Sequence, residues 1–258
     1  MKEVNPLKRI LTAFVSLCLA ASLCLSAFAA SKGSFDHFQP VNTFSEESFA
    51  DVSGWFAPYV STVYSMGLMQ GSINTYGERA FHPDGAITLA EIITLADRIH
   101  STYYNDGEPF LQGSPWYQTY VDYAVEKGIL ASADEYENYS VPATRAQCAG
   151  ILARALPEAA YTQINTVELG AIPDLDMEQK DSLSVYTLYR AGIFTGSAMG
   201  AFRPDDEITR SEVAAVAARI VDPSLRVSFS LYAPLYVGFT IPADNAGKVG
   251  ITGLTMTT

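Results

Sequence analysis

Three stretches of this chain each carry a complete start signal for a helix, and any fold has to accommodate all three. They read Ile87-Thr88-Leu89-Ala90-Glu91-Ile92, Ala143-Thr144-Arg145-Ala146-Gln147-Cys148 and Ile208-Thr209-Arg210-Ser211-Glu212-Val213. In each, the threonine side chain can accept from the amide three residues on, while the Glu or Gln there reaches back to the threonine amide. This is a reciprocal capping box, and the apolar residues flanking it stand where a hydrophobic staple puts them. A cap of this kind contributes about 1 kcal/mol, enough to fix where a helix begins. Apolar residues then recur at helical spacing: Ile92, Leu95, Ala96 and Ile99 in the first copy, Cys148, Ile151, Leu152 and Ala155 in the second. The signals lie roughly 55 to 65 residues apart, which makes this a repeat protein. The helices are expected over 88–100, over 144–156 and from 209 to about 221. One residue goes against the local physics. Arg210 falls on the first helical position, as does Arg145, where the helix dipole disfavours a cation; the first copy has Leu89 there.

Other marks recur around these starts. The first copy has Phe49-Ala50-Asp51-Val52, then a helix led by Trp55, then Gly67-Leu68-Met69-Gln70-Gly71, then Phe81-His82-Pro83. The second has a helix led by Trp116, stopped by Gly128, then Ile129-Leu130, with Tyr139 and Pro142 further on; its loop is short and lacks a glycine matching Gly71. The third has Ile172-Pro173-Asp174-Leu175, a polar insertion over 176–181, a helix through Val185, Tyr186 and Tyr189, then Gly192-Ile193-Phe194-Thr195-Gly196 and Phe202-Arg203-Pro204. The tyrosine-rich helices read as packing surfaces. Repeat boundaries follow at 47–106, 107–165 and 166–225. Residues 30–46 have no period and read as a linker.

The two ends differ from the middle. Lys2, Lys8 and Arg9 precede an uncharged apolar run over 10–27, and Ala27-Phe28-Ala29 fits a small-x-small cleavage site. Residues 1–29 therefore read as a secretory signal peptide, with an uncleaved anchor as the alternative. Cleavage would leave Cys148 alone, at an apolar helix position, so no internal disulfide is expected. It would also move the net charge from −12 to −14, by removing three basic residues and one acidic one. So acidic a chain lacks the basic footprint of a nucleic-acid binder. Residues 226–258 alternate and are β-rich, as in Val227-Ser228-Phe229-Ser230-Leu231-Tyr232, but are too few for an independent domain. They pack on the repeats, pair with another chain, or begin a further domain.

Taken together, Phe-x-Asp-Val, the Trp-led helix ending Gly-Leu-x-x-Gly, Phe-x-Pro and the capped helix resemble the S-layer homology family, over roughly residues 47–225. The resemblance implies a mainly α fold. Three helix–loop–helix repeats would form a pseudo-three-fold trimer around a central helical bundle, followed here by the short β-rich segment. It also implies a non-catalytic module anchoring an exported protein to the cell wall or surface layer. The expected partner is an anionic secondary cell-wall polysaccharide, typically pyruvylated, or another peptidoglycan-linked polymer, held in grooves between repeats. Carried onto this sequence, the ligand contacts are Arg145 and Arg210, Asp51 and Asp174, Trp55 and Trp116, and Gly71 and Gly196. No copy has the full set, so fewer than three working grooves are expected.

Each residue also has a plainer reading. Arg210 could pair with Asp205 or Asp206 instead of gripping a carboxylate bidentately beside free first-turn amides. Trp55 and Trp116 could be core aromatics, and Asp51 and Asp174 could cap the helices that follow. The spacing of a calcium loop is absent, the histidines are scattered, and there is no nucleophile elbow or phosphate loop. No catalytic residue, metal or cofactor is expected. Two other functions stay open. The repeats could tether a longer enzyme or solute-binding protein, or the chain could self-assemble through its β-rich tail.

Overall fold

The computed structural model describes residues 32–45, 47–105, 110–111, 113–197 and 200–232; the expected signal peptide and most of the β-rich tail lie outside them. Among the described residues six α-helices form: α1 (Ala57–Ser65), α2 (Leu89–Tyr104), α3 (Gln118–Glu126), α4 (Arg145–Arg154), α5 (Ser182–Arg190) and α6 (Arg210–Val221). The described residues are thus mainly α, with a few short strands.

Helices α2, α4 and α6 start at the three threonines. Both arms of each capping box are present. Thr88, Thr144 and Thr209 accept from the amides of Glu91, Gln147 and Glu212 at 3.2–3.3 Å. Their own amides donate to the same three side chains at 2.8–3.0 Å. Thr209→Ala should therefore lower the unfolding free energy by about 1 kcal/mol, measured by denaturant titration. Helix α2 outruns its expected end at residue 100, because Asn105 in the left-handed region (φ 54°) supplies the stop instead. Helices α1, α3 and α5 end at Gly67, Gly128 and Gly192, with φ of 73–74°. At each glycine the next residue donates back into the helix: Leu68 to Val63, Ile129 to Ala124 and Ile193 to Leu188. This is a Schellman ending, which a residue with a Cβ adopts only at a cost.

The packing partners are not the helices next to each other in a sequence copy. Helix α3 packs on α2, α5 on α4, and α1 on α6, while α2 also lies against α4. The loops before the capped helices are joined in a ring. Ile87 donates to the carbonyl of Ile208 (3.1 Å), Ile208 to Ala143 (3.2 Å) and Ala143 to Ile87 (2.8 Å). The ring also uses amides that each helix start leaves without an intrahelical partner. Leu89 and Ala90 donate to Val141 and Tyr139, Arg145 and Ala146 to Asp206 and Pro204, and Arg210 and Ser211 to Gly85 and Pro83. The free first-turn amides expected to greet an anion are therefore already occupied by neighbouring carbonyls.

The core runs through all of these helices. Tyr186, Tyr189, Phe81, Phe202 and Ile87 are fully buried. Cys148 is buried too, and burial pushes its thiol up to about 12, as a core residue rather than a reactive one. Residues 32–45, expected as a linker, lie against this core: Phe38 is buried, Phe35 meets Tyr103 edge-on at 5.4 Å, and Val41 and Asn42 donate to the Ser65 carbonyl. Strands β1 (Ser72–Ile73) and β2 (Arg79–Ala80) form an antiparallel hairpin between α1 and α2. Strand β3 (Thr166–Val167) pairs in parallel with β4 (Ser230–Leu231), so the described start of the tail packs on the helical body. Among the described residues, no helix is long and apolar enough to cross a membrane.

Candidate functional site

Because α3 leans on α2 and α1 on α6, residues from distant parts of the sequence meet in two grooves. Groove A, of about 220 Å³, brings Gly71, Glu91, Arg98 and Trp116 to Arg210. Groove B, of about 140 Å³, brings Gly196, Glu212, Arg219 and Trp55 to Arg145. Six of the eight residues expected at the ligand are thus gathered into two equivalent sets.

The ill-placed arginines are explained by their neighbours. Arg210 does not pair with Asp205 or Asp206. Its side chain crosses to the next capped helix, donating from Nε to the Phe81 carbonyl (2.8 Å) and from Nη1 to Glu91 Oε1 (2.9 Å). Arg145 repeats this with the Phe202 carbonyl (2.7 Å) and Glu212 Oε1 (2.9 Å). Each guanidinium also lies over a ring, Phe81 or Phe202, 5.3 Å from its centroid. Glu91 and Glu212 do two jobs at once, since Oε2 closes the capping box and Oε1 holds the arginine. Arg145 is 6 % exposed and Arg210 15 %. Two nitrogens of each guanidinium are committed, leaving Nη2 without a partner among the described residues. Three N–H groups of each guanidinium, one on Nη1 and two on Nη2, stay uncommitted to these bonds.

Asp51 and Asp174 cap no helix. Asp51 accepts from the amides of Phe81 (2.8 Å) and His82 (2.7 Å), and Asp174 from those of Phe202 (2.7 Å) and Arg203 (2.7 Å). His82 and Arg203 sit at φ of 57° and 60°, a strained region for residues other than glycine, and the carboxylates hold them there. The same peptides present the Phe81 and Phe202 carbonyls to the arginines. Gly71 (φ 66°) and Gly196 (φ 68°) turn tightly at the groove edges, where a Cβ would run into Ala80 and Phe49, or into Tyr189 and Ala201.

Neither tryptophan belongs to the core. Trp55 is 60 % exposed and Trp116 46 %, each edge-on to a tyrosine one turn later, Tyr59 or Tyr120, at 6.3–6.4 Å. They stand at the rims, just before the first turns of α1 and α3, whose buried residues include Val60, Val63 and Val121.

Two arginines in these grooves were not singled out in the sequence, although a signal was present. Arg98, Arg154 and Arg219 each follow the capping threonine by ten residues. Each donates to the residue after the Schellman glycine: Arg98 to the Leu68 carbonyl (2.9 Å), Arg154 to Ile129 (2.6 Å) and Arg219 to Ile193 (3.0 Å).

The S-layer homology domain model matches residues 48–93 and 172–214. S-layer homology domains are non-catalytic anchoring modules of cell-envelope proteins and bind secondary cell-wall polymers. The two matched stretches include Asp51, Trp55, Gly71 and Glu91 on one side, and Asp174, Gly196, Arg210 and Glu212 on the other. The stretch between them holds α3 and α4, where the motif residues thin out. A search of curated proteins finds no match.

The place between α4 and α5 that corresponds to the two grooves is built differently. Leu89 stands where groove A has Arg210, Gln147 where it has Glu91, and Lys180 where it has Trp116. Arg154 there is paired with Asp181 (2.8 Å) and Glu135 (3.4 Å), and Lys180 also reaches Glu135 (3.0 Å).

Proposed function

We propose that this chain is the wall-binding part of an exported bacterial protein, holding an anionic, pyruvylated secondary cell-wall polysaccharide in grooves A and B. One observation carries this reading: four separated elements bring two arginines, an exposed tryptophan and a glycine turn together, and they do so twice in the same way. A pyruvate ketal presents a carboxylate on a sugar ring. The arginines meet the charge, and Trp116 and Trp55 offer flat faces to the sugar. Because the whole chain is acidic, at −12, attraction of an anionic polymer has to come from local cations such as these. Asp51 and Asp174 act through the loop they hold, not by touching the sugar.

In this reading the chain contains three S-layer homology repeats, 47–106, 107–165 and 166–225, closed as a pseudo-three-fold trimer around α2, α4 and α6. The ring of hydrogen bonds through Ile87, Ala143 and Ile208 supports that closure. Residues 1–29 direct export, and the protein acts at the cell surface. The grooves do no chemistry on the polymer.

A pull-down on purified sacculi tests this. The mature chain is expected to sediment with intact sacculi and to stay in solution once their secondary polymers have been stripped chemically. Equal binding to stripped sacculi would sink the polysaccharide assignment.

A further inference from the structure

We infer that Arg98 and Arg219 are the residues that read the ligand's carboxylate, and that Asp181 is a built-in carboxylate filling the same subsite in the third, closed position. This rests on the wall-polysaccharide reading above and says which atoms of grooves A and B would make the charge contact.

The argument starts from the equivalence of Arg98, Arg154 and Arg219, which share a position on the capped helices and a bond to the Schellman turn. Only Arg154 has a carboxylate on it. Asp181, at φ 66° just before α5, turns its side chain inward, and Arg154 Nη1 donates to its Oδ1 at 2.8 Å. The Asp181 side chain is 7 % exposed and packs so closely on Gly150 that a Cβ there would overlap its carboxyl group. Gly150 lies six residues past its capping threonine, as do Thr94 and Ala215, which floor grooves A and B. Asp181 therefore marks where a carboxylate rests: against the helix floor and on the arginine one turn further on.

In grooves A and B the residue matching Asp181 is Tyr117 or Phe56, so no carboxylate arrives from that side. Arg98 makes its one bond to the Leu68 carbonyl, and its Nε and Nη2 have no partner among the described residues. Arg219 donates from Nη2 to Tyr59, and its Nε is buried without a partner. Arg98 faces Tyr120 and Arg219 faces Tyr59, with ring centroids 6.0 and 5.0 Å away, beside the tryptophans. Arg98 is thus a charged donor with spare N–H groups next to an aromatic rim, which suits a sugar bearing one carboxylate; Arg219, its Nε buried, offers the second N–H of Nη1 and of Nη2. Arg210 is already matched by Glu91, and Glu212 is shared by Arg145 and, at 3.4 Å, by the half-exposed Arg203; the remaining atoms of Arg210 and Arg145 suit sugar hydroxyls.

Calorimetric titration with two probes tests this: a methyl hexopyranoside carrying a 4,6-pyruvate ketal, and the same glycoside without it. The wild-type chain is expected to prefer the ketal. The Arg98→Gln/Arg219→Gln double variant should lose at least about tenfold in affinity for the ketal and bind the two probes alike, and Arg98→Lys/Arg219→Lys should recover part of the preference. A second measurement needs no variant. In the 15N-labelled wild type, the ketal should move the Arg98 and Arg219 Nε–H resonances and leave that of Arg154, held by Asp181, in place. Undiminished preference in the Gln variant, or a shift at Arg154 equal to the others, overturns the inference alone. A wild type that binds neither sacculi nor ketal overturns the polysaccharide reading as well.

Discussion

Replacing Asp97 with alanine is expected to make the protein more stable, by an amount that grows with pH. Asp97 lies on α2 with no exposed surface, and neither carboxyl oxygen has a hydrogen-bond partner among the described residues. Burial pushes its pKa from 3.8 up to about 9. A carboxyl group raised in this way is protonated in the folded protein at pH 7 but ionised in the unfolded chain. The folded state then binds the extra proton, so stability is highest below the unfolded pKa and falls as pH rises from about 4 towards 9. The slope in that window approaches about 1.4 kcal/mol per pH unit. The corresponding positions of α4 and α6 are Ala153 and Ala218, so the architecture already accepts the small side chain. Asp97→Ala should gain on the order of 2–4 kcal/mol at pH 7, more at pH 8.5 and little at pH 4.5. Denaturant unfolding of both proteins at these three pH values measures the difference, and titrations elsewhere in the chain cancel in the comparison. A difference independent of pH would show that Asp97 is ionised in the fold.

The helix starts were readable in the sequence because capping is local. A threonine and a glutamate three residues apart satisfy each other whatever packs around them. The endings at Gly67, Gly128 and Gly192 were readable for the same reason. What could not be read was partnership. The N1 position of Arg210 looked unfavourable by local physics, and the carboxylates within reach in sequence were Asp205 and Asp206. The true partner, Glu91, is 119 residues away and arrives only because α6 starts beside α2. For the tryptophans the sequence leaves two readings, ligand contact or core aromatic, and their exposure excludes the second. For Asp51 the sequence offers a ligand contact or a cap on the helix that follows. Asp51 serves a loop 30 residues on, whose positive-φ residue at His82 nothing in the sequence announced. The arginine at the tenth place after each threonine is visible in the sequence, but its role depends on the grooves.

The strongest expected effect on binding comes from making grooves A and B resemble the closed position. Leu89 and Gln147 occupy there the places held elsewhere by Arg210 with Glu91 and by Arg145 with Glu212. Leu89 is buried, and the capping box of α4 closes with Gln147 as completely as the others do with glutamate. The chain itself therefore shows that this exchange fits the fold. The variant Arg210→Leu/Glu91→Gln/Arg145→Leu/Glu212→Gln removes two cations and two carboxylates together, so net charge and long-range attraction are unchanged. Replacing both members of these partly exposed pairs leaves neither uncompensated, and stability should stay within about 2 kcal/mol of the wild type. Arg210→Ala/Arg145→Ala, by contrast, leaves Glu91 without its ion pair and Glu212 with only the longer contact to Arg203, and should be the less stable variant. Wall binding should nevertheless collapse in the four-site variant. Each groove loses a charged donor and a charged acceptor facing the sugar, and engagement of two grooves by one polymer multiplies the loss. A fall of at least about a hundredfold in affinity for sacculi is expected, with a melting transition that remains cooperative. If that folded variant sediments with sacculi as the wild type does, the polymer is held somewhere other than in these grooves.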